Sequence, residues 1–140
     1  MMLVRAYLAP SDIEGLGVFS HDPVKAGDAI WRFDTRFDKL IPLDVVAASD
    51  PRTRDFIERY GYEMPGHPEH LALDADEGRF MNHCDAPNCD FSHPEVGYAL
   101  VDIPAGVELT CDYREFTIGE LVFQPTRHKV GQHVNGAART

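Results

Sequence analysis

Apolar and polar residues are mixed over short stretches in the first third of the chain, which favours short β-strands. Residues 3–8 and 16–20 are such stretches, and residues 29–33 are a further candidate strand. Pro23 and Gly27 lie between the second and third stretches and are turn signals. The sequence therefore predicts three short strands at the start of the chain.

Two short helices are predicted next. Residues 42–48 are compatible with the first. Ser49 or Asp50 can cap the second, and Pro51 stands where a first helical turn accepts proline. The apolar residues of this second helix share one face: Phe56, Ile57 and Tyr60. Gly61 is expected to end the helix in the left-handed conformation.

The second half of the chain contains fewer apolar stretches. After a brief apolar run at residues 71–73, residues 77–94 are irregular and too polar in composition to be expected in the core. Residues 97–103 and 107–113 are the best strand candidates, and the Pro-Ala-Gly turn at residues 104–106 predicts that they pair as a hairpin. The pattern alone predicts a small, mostly β domain with short helices.

Length and composition indicate a single domain. The chain has 140 residues, a mass of 15.7 kDa and 44% hydrophobic residues, which suits one core. Its formal charge of −10 removes the usual electrostatic basis for direct nucleic-acid binding and would attract a basic protein or peptide. Ordinary solubility explains the same charge equally well.

Three cysteines are an odd number for a disulfide framework. The chain has no basic-then-apolar leader and no long apolar run, so neither a secretion signal nor a membrane span is expected. A cytoplasmic protein is the default interpretation. Export by a route without a classical signal stays open.

Three motifs change this picture. They are, in order, Gly15-Leu16-Gly17, the stretch RFMNHCDAPN at residues 79–88, and ELTCDY at residues 108–113. Their order and spacing resemble those of SET-domain protein lysine methyltransferases. The resemblance covers roughly residues 3–116, and it implies a SET domain over residues 1–116 and a tail over 117–140. The implied fold has several small sheets and a C-terminal pseudoknot.

The resemblance also implies roles for particular residues. The cofactor would be S-adenosylmethionine, and the substrate a lysine side chain of a basic protein or peptide. Tyr113 matches the essential tyrosine and is the predicted catalytic residue. The residues predicted to bind the cofactor are Gly15, Leu16, Gly17, Asn82, His83 and Tyr113. The residues predicted to line the substrate channel, besides Tyr113, are Tyr98, Phe116 and Phe123, the last from a tail segment that would close it.

Two cysteines depart from the family pattern. Cys84 stands where serine is common, and Cys111 where the family often has a tyrosine. Asp85 likewise replaces a frequent cysteine. These differences bear on the shape of the channel, and hence on how many methyl groups are added, more than on the chemistry.

Two other functions compete with this interpretation. A catalytically weak SET-like module would bind a lysine-containing partner without turnover. A zinc domain would draw on the soft ligands of the same region, which are His83, Cys84, Cys89, His93 and Cys111. These residues lack the close pairs of a structural zinc site, so no metal is predicted. With so short a chain, a homodimer would be one way to complete the substrate groove.

Overall fold

The computed structural model describes residues 1–116. In this part of the chain, nine strands and two α-helices follow one another. In chain order they are β1 (Ala6–Pro10), β2 (Leu16–Ser20), β3 (Ala29–Arg32), β4 (Lys39–Pro42), α1 (Leu43–Ala48), α2 (Pro51–Tyr60), β5 (His70–Leu73), β6 (Asn82–His83), β7 (Cys89–His93), β8 (Val96–Ala99) and β9 (Glu108–Cys111). Short 3-10 helices lie at Glu77–Phe80 and Tyr113–Glu115.

The strands form three small sheets, with the orders β1-β2-β9-β6, β3-β8-β7 and β4-β5. All pairs are antiparallel except β6 with β9, in which Asn82 lies opposite Thr110 and His83 opposite Cys111. The predicted mostly β fold of several small sheets is confirmed. The parallel pair matters most for function, because it brings the second and third sequence motifs side by side.

The predicted hairpin of residues 97–103 with 107–113 is wrong. β8 pairs with β3 and β7, whereas β9 pairs with β2 and β6. The turn itself exists, since Gly106 has a φ of 80°, which glycine adopts readily. A hydrogen bond from the Gly106 amide to the Ser20 carbonyl then leads the chain to β2. A turn reverses the chain locally but does not determine which strand the next segment joins.

The stretch 77–94, expected to lie outside the core, contains buried residues. Cys89 is fully buried and Phe91 is 9% exposed. They alternate along β7 with more exposed neighbours, as inward and outward positions of a strand do. The expectation that this stretch lies outside the core is therefore wrong for β7, because its polar residues alternate with residues of one buried face.

Helix α2 begins as predicted, because the Asp50 carboxylate accepts hydrogen bonds of 3.0 Å from the amides of Arg52 and Thr53. The predicted left-handed Gly61 is wrong, since its φ is −78°. Glycine is required there for space: a Cβ would lie 2.5 Å from the carbonyl oxygen of Ile57 and 3.2 Å from that of Ala72.

The main core lies between the β1-β2-β9-β6 and β3-β8-β7 sheets, with Val18, Ile30, Ile103 and Leu109 at most 2% exposed. A smaller cluster joins the helices to β5 through Val46, Ile57 and Leu71. Neither α1 nor α2, nor any other helix of residues 1–116, is long and apolar enough to span a membrane.

Candidate active site

Asn82 ties together segments that are far apart in the sequence. The residue is 3% exposed, and its Nδ2 lies within 3.2 Å of four acceptors: the Ser11 hydroxyl, the carbonyls of Glu14 and Leu16, and the Glu108 carboxylate. Two N–H groups cannot serve four acceptors fully at the same time. The amide therefore holds the loop of the first motif against the start of β9.

The glycines of the first motif allow this close approach. Gly15 has a φ of 55°, in the left-handed region. At Gly17, a Cβ would collide with the Glu108 carboxylate. Glu108 is itself held by the Ser11 hydroxyl at 2.8 Å. The structure therefore explains why both positions are glycine, without reference to a ligand.

His83 uses both ring nitrogens within the protein. Nδ1 accepts a hydrogen bond of 3.1 Å from the backbone amide of Tyr113, and Nε2 lies 3.0 Å from the Asp85 carboxylate. This arrangement fits the neutral ring with its proton on Nε2. The imidazole fixes the position of the Tyr113 backbone.

Tyr113 lies two residues beyond the end of β9, and contacts within the protein hold its ring. Its hydroxyl donates a hydrogen bond of 2.7 Å to the carbonyl of Met81, and its ring centroid lies 5.3 Å from that of His83. Burial raises the pKa of the phenol above its usual value, and the nearby carboxylates of Glu14 and Glu108 act in the same direction. The hydroxyl is therefore neutral at physiological pH.

Beside Tyr113 lies a cavity of about 260 Å³. Aromatic rings form much of its wall, and they contact one another: the centroids of Trp31 and Phe91 are 5.4 Å apart, and those of Tyr62 and Phe116 are 5.6 Å apart. Residues 58–63, at the end of α2 and beyond it, form another part of the wall. An aromatic cavity of this kind suits an alkyl chain that carries a positive charge.

The cavity wall also contains one deeply buried carboxylate, Asp74, which is 4% exposed. It accepts hydrogen bonds from the Tyr62 hydroxyl at 2.9 Å and from the Trp31 indole at 3.1 Å. Burial raises the pKa of this carboxyl to about 6, although the Met1 amino group and the Tyr62 hydroxyl act in the opposite direction.

A family model of the SET domain matches residues 15–114, which include all three motifs. The chain belongs to the SET domain family.

Solved structures agree with this assignment at the level of the fold. Neurospora DIM-5, a SET domain histone lysine methyltransferase, is 20% identical with a TM-score of 0.57; the match covers 88% of this chain and 55% of that one. A humanised mutant of the Chaetomium thermophilum Polycomb Repressive Complex 2 is 20% identical with a TM-score of 0.59, over 89% and 16% of the respective chains. For the Plasmodium falciparum protein PFL0690c the identity is 24% and the TM-score 0.55, over 80% and 95%.

This SET domain brings most of the predicted site residues together. Gly15, Leu16 and Gly17 meet Asn82 at the crossing of β6 and β9. Tyr113 contacts His83 on one side and lines the cavity on the other. The structure thus shows their proximity, while their predicted roles in binding the cofactor stay predictions.

The three predicted channel residues have different outcomes. Phe116 lines the cavity. Among the described residues, Tyr98 is not part of that wall: its ring lies 5.2 Å from His93, and strand alternation on β8 turns it away from the face where Gly97 meets the Phe91 ring. Phe123 lies outside the described residues.

The SET-domain cavity includes residues that the sequence analysis did not single out, among them Trp31, Tyr62, Asp74 and Phe91. Asp74 carried a usable signal, because it is a carboxylate that directly follows the apolar run at residues 71–73. Trp31, the single tryptophan of the chain, was a second signal. Neither position belongs to one of the three motifs.

The cysteines of this SET domain are buried or partly buried thiols. Burial raises the pKa of Cys89 to about 12 and that of Cys111 well above its usual value, which disfavours the thiolate that binds metals. Within residues 1–116, no three His, Cys, Asp or Glu side chains are grouped so that they would hold a metal ion.

Proposed function

We propose that this chain transfers methyl groups from S-adenosylmethionine to a lysine side chain of a protein. The SET domain family is a family of protein lysine methyltransferases. One observation carries the proposal for this chain: Tyr113 belongs both to the crossing formed by Asn82 and His83 and to the aromatic cavity. A methyl donor and an amine bound on these two sides would meet at the tyrosine.

The residues at the crossing fit the cofactor. The backbone of residues 15–17 has no side chain at either glycine, the Glu108 carboxylate lies beside Gly17, and the charges of Glu14 and Glu108 both act on Tyr113. Negative charge there favours a cationic ligand. The residues that would hold the cofactor are Gly15, Leu16, Gly17, Asn82, His83 and Tyr113. When bound, S-adenosylmethionine supplies a methyl group attached to a positively charged sulfur.

The cavity fits the substrate. A lysine side chain has a long aliphatic stem, which the rings of Trp31, Tyr62, Phe91 and Phe116 would cover, and aromatic faces attract its ammonium group. Removal from water lowers the pKa of the amine and so favours the neutral form that can attack a methyl group. Tyr113 would orient the amine, since its hydroxyl is neutral and fixed by Met81.

The direct test is incubation of the full chain with methyl-labelled S-adenosylmethionine and a mixture of basic proteins, with mass spectrometry of the products. We expect label on lysine, and a loss of about 100-fold in rate in Tyr113→Phe, because a fixed polar group at the reacting atoms is removed. Tyr7→Phe is the matched control, since Tyr7 stacks on Phe19 in the β1–β2 hairpin.

Two results would contradict the proposal. If a folded wild-type chain labels no lysine and does not bind the cofactor in calorimetry, it is not a methyltransferase. If it labels nothing but binds lysine peptides, the binding-module alternative is supported instead. We further propose a basic substrate, because the chain carries a formal charge of −10.

A further inference from the structure

We infer that Asp74 is the counter-ion that binds the protonated ε-amino group of the substrate in the aromatic cavity, and that it selects charged alkylamines over neutral groups of the same shape. The identity of the ligand as lysine rests on the proposed function. The inference concerns the binding of the charged side chain, which precedes any methyl transfer.

The carboxylate has acceptor capacity left for such a ligand. Its two oxygens each receive one hydrogen bond, from Tyr62 at 2.9 Å and from Trp31 at 3.1 Å. A carboxylate offers about four lone-pair positions. No Lys or Arg side chain of residues 1–116 forms an ion pair with Asp74, so the described part of the chain leaves the charge available to a ligand.

The approach to the carboxylate is kept open by a glycine. Gly78 lines the same cavity, and a Cβ on it would lie 2.8 Å from Asp74 Oδ2. Any larger residue would therefore press on this oxygen. The Arg79 side chain, which comes next, donates through Nε to the backbone carbonyl of Asp74 rather than to its carboxylate.

The two hydrogen bonds to Asp74 do not neutralise its charge. Each carboxylate oxygen accepts from one donor, the Trp31 indole or the Tyr62 hydroxyl, whereas asparagine would offer a single acceptor oxygen for the two donors. A carboxylate with two neutral donors is only partly compensated. A bound ammonium group supplies the missing positive charge, and the surrounding rings stabilise the same ion.

The single tryptophan makes the inference directly measurable, because its indole N–H donates to the proposed counter-ion. In the full chain, without cofactor, the indole resonance is followed by NMR during titration with n-butylammonium, which mimics the lysine side chain. 1-Butanol is the uncharged control. We expect a saturable shift with n-butylammonium and little or none with 1-butanol.

Two variants test the assignment to the carboxylate. Asp74→Asn should weaken n-butylammonium binding by at least about tenfold, because the charge is lost. Tyr62→Phe removes one hydrogen-bond donor to Asp74 but keeps the charge. The affinity of this variant for n-butylammonium should therefore stay within a few-fold of the wild-type affinity. Equal binding by Asp74→Asn, an equal shift with 1-butanol, or no saturable shift at all would overturn the inference.

A pH titration keeps the test decisive if Asp74→Asn fails to fold. n-Butylammonium affinity should fall as the pH drops through about 6, where the carboxyl binds a proton. Other ionisable groups act on Asp74 or line the cavity: the Met1 amino group, Asp38, Asp76, Glu58, Arg59, Glu63, Arg79, Tyr60, Tyr62, Tyr113, Cys111 and His93. Histidines also change charge near this pH, so the same decrease in n-butylammonium affinity must occur in His93→Gln. If the affinity of this variant did not change with pH, the role of Asp74 would be refuted.

The outcomes separate this inference from the proposed function. If the chain methylates lysine but binds 1-butanol as well as n-butylammonium, Asp74 is not the counter-ion and the methyltransferase stands. If charge-selective binding that depends on Asp74 is found without any methyl transfer, the inference stands and the chain is a binding module.

Discussion

The side chains at the crossing act largely by positioning other groups. Asn82 fixes the loop of residues 11–17 through its amide, and His83 fixes the backbone of Tyr113 through Nδ1. The backbone carbonyl of Met81 then accepts a hydrogen bond from the Tyr113 hydroxyl. The reactive end of the proposed site therefore depends on hydrogen bonds whose partners are all within the protein.

The buried carboxyl of Asp74 should make stability depend on pH in a predictable direction. Its pKa is raised from 3.8 to about 6 by burial. Well below pH 4 the carboxyl is protonated in both states, whereas between about pH 4 and 6 it is ionised in the unfolded state and still protonated in the folded state. Relative to Asp74→Asn, the wild type should lose about 2 kcal/mol of unfolding free energy between pH 4 and pH 7.

Denaturant unfolding of both proteins across that pH interval measures the difference, and the comparison cancels the contributions of the other carboxyls. Parallel curves for the two proteins would show that the Asp74 carboxyl ionises equally easily in the folded and unfolded chains. At neutral pH, added n-butylammonium should reduce the difference in unfolding free energy between the wild type and Asp74→Asn, because a ligand that binds the folded state stabilises it.

At the level of secondary structure, the sequence predicts the start of α2 but neither the conformation of Gly61 nor the strands that pair with β9. The start of α2 is encoded by Asp50 and Pro51, whose effects reach only a few residues. The partners of β9 lie more than 20 residues away in the sequence, and no local pattern specifies them. The resemblance predicted the Asn82 crossing because a family motif carries long-range information that a hydrophobic pattern lacks.

The aromatic cavity was less predictable for the same reason. Trp31, Tyr62 and Phe91 come from three separate segments, and each looks like an ordinary core residue in its own surroundings. Only the packing of the β3-β8-β7 sheet against the segment after α2 makes them neighbours. Asp74 lies outside the three motifs, and its position directly after the apolar residues 71–73 is the one local signal that it carries.

Asn88 extends the hydrogen bonding of β9, and its loss should destabilise that strand. Its Nδ2 donates to the Glu108 carbonyl and its Oδ1 accepts from the Thr110 amide, both at 2.8 Å. Asn88→Ala leaves both backbone groups without this partner, so unfolding free energy should fall by about 2 kcal/mol or more. An unchanged free energy of unfolding for Asn88→Ala in denaturant would contradict this account.

On the scale of the whole molecule, the charge of −10 should influence how substrates are captured. For a basic protein substrate, KM should rise several-fold between about 50 and 300 mM NaCl, because salt screens long-range attraction. A peptide with one lysine among neutral residues is the control and should change little. The same salt dependence for both substrates would refute a role for the overall charge.

The position of β9 between β2 and β6 has a consequence for how activity arises during synthesis. Contacts such as Ser11 with Glu108 join residues 97 positions apart, and closing such long loops slows folding. A ribosome-bound chain that has emerged only as far as residue 100 has the first motif and Asn82 but lacks β9, which joins them. The proposed catalytic centre is thus completed only when β9 inserts between β2 and β6, and a nascent chain should stay inactive until β9 has emerged.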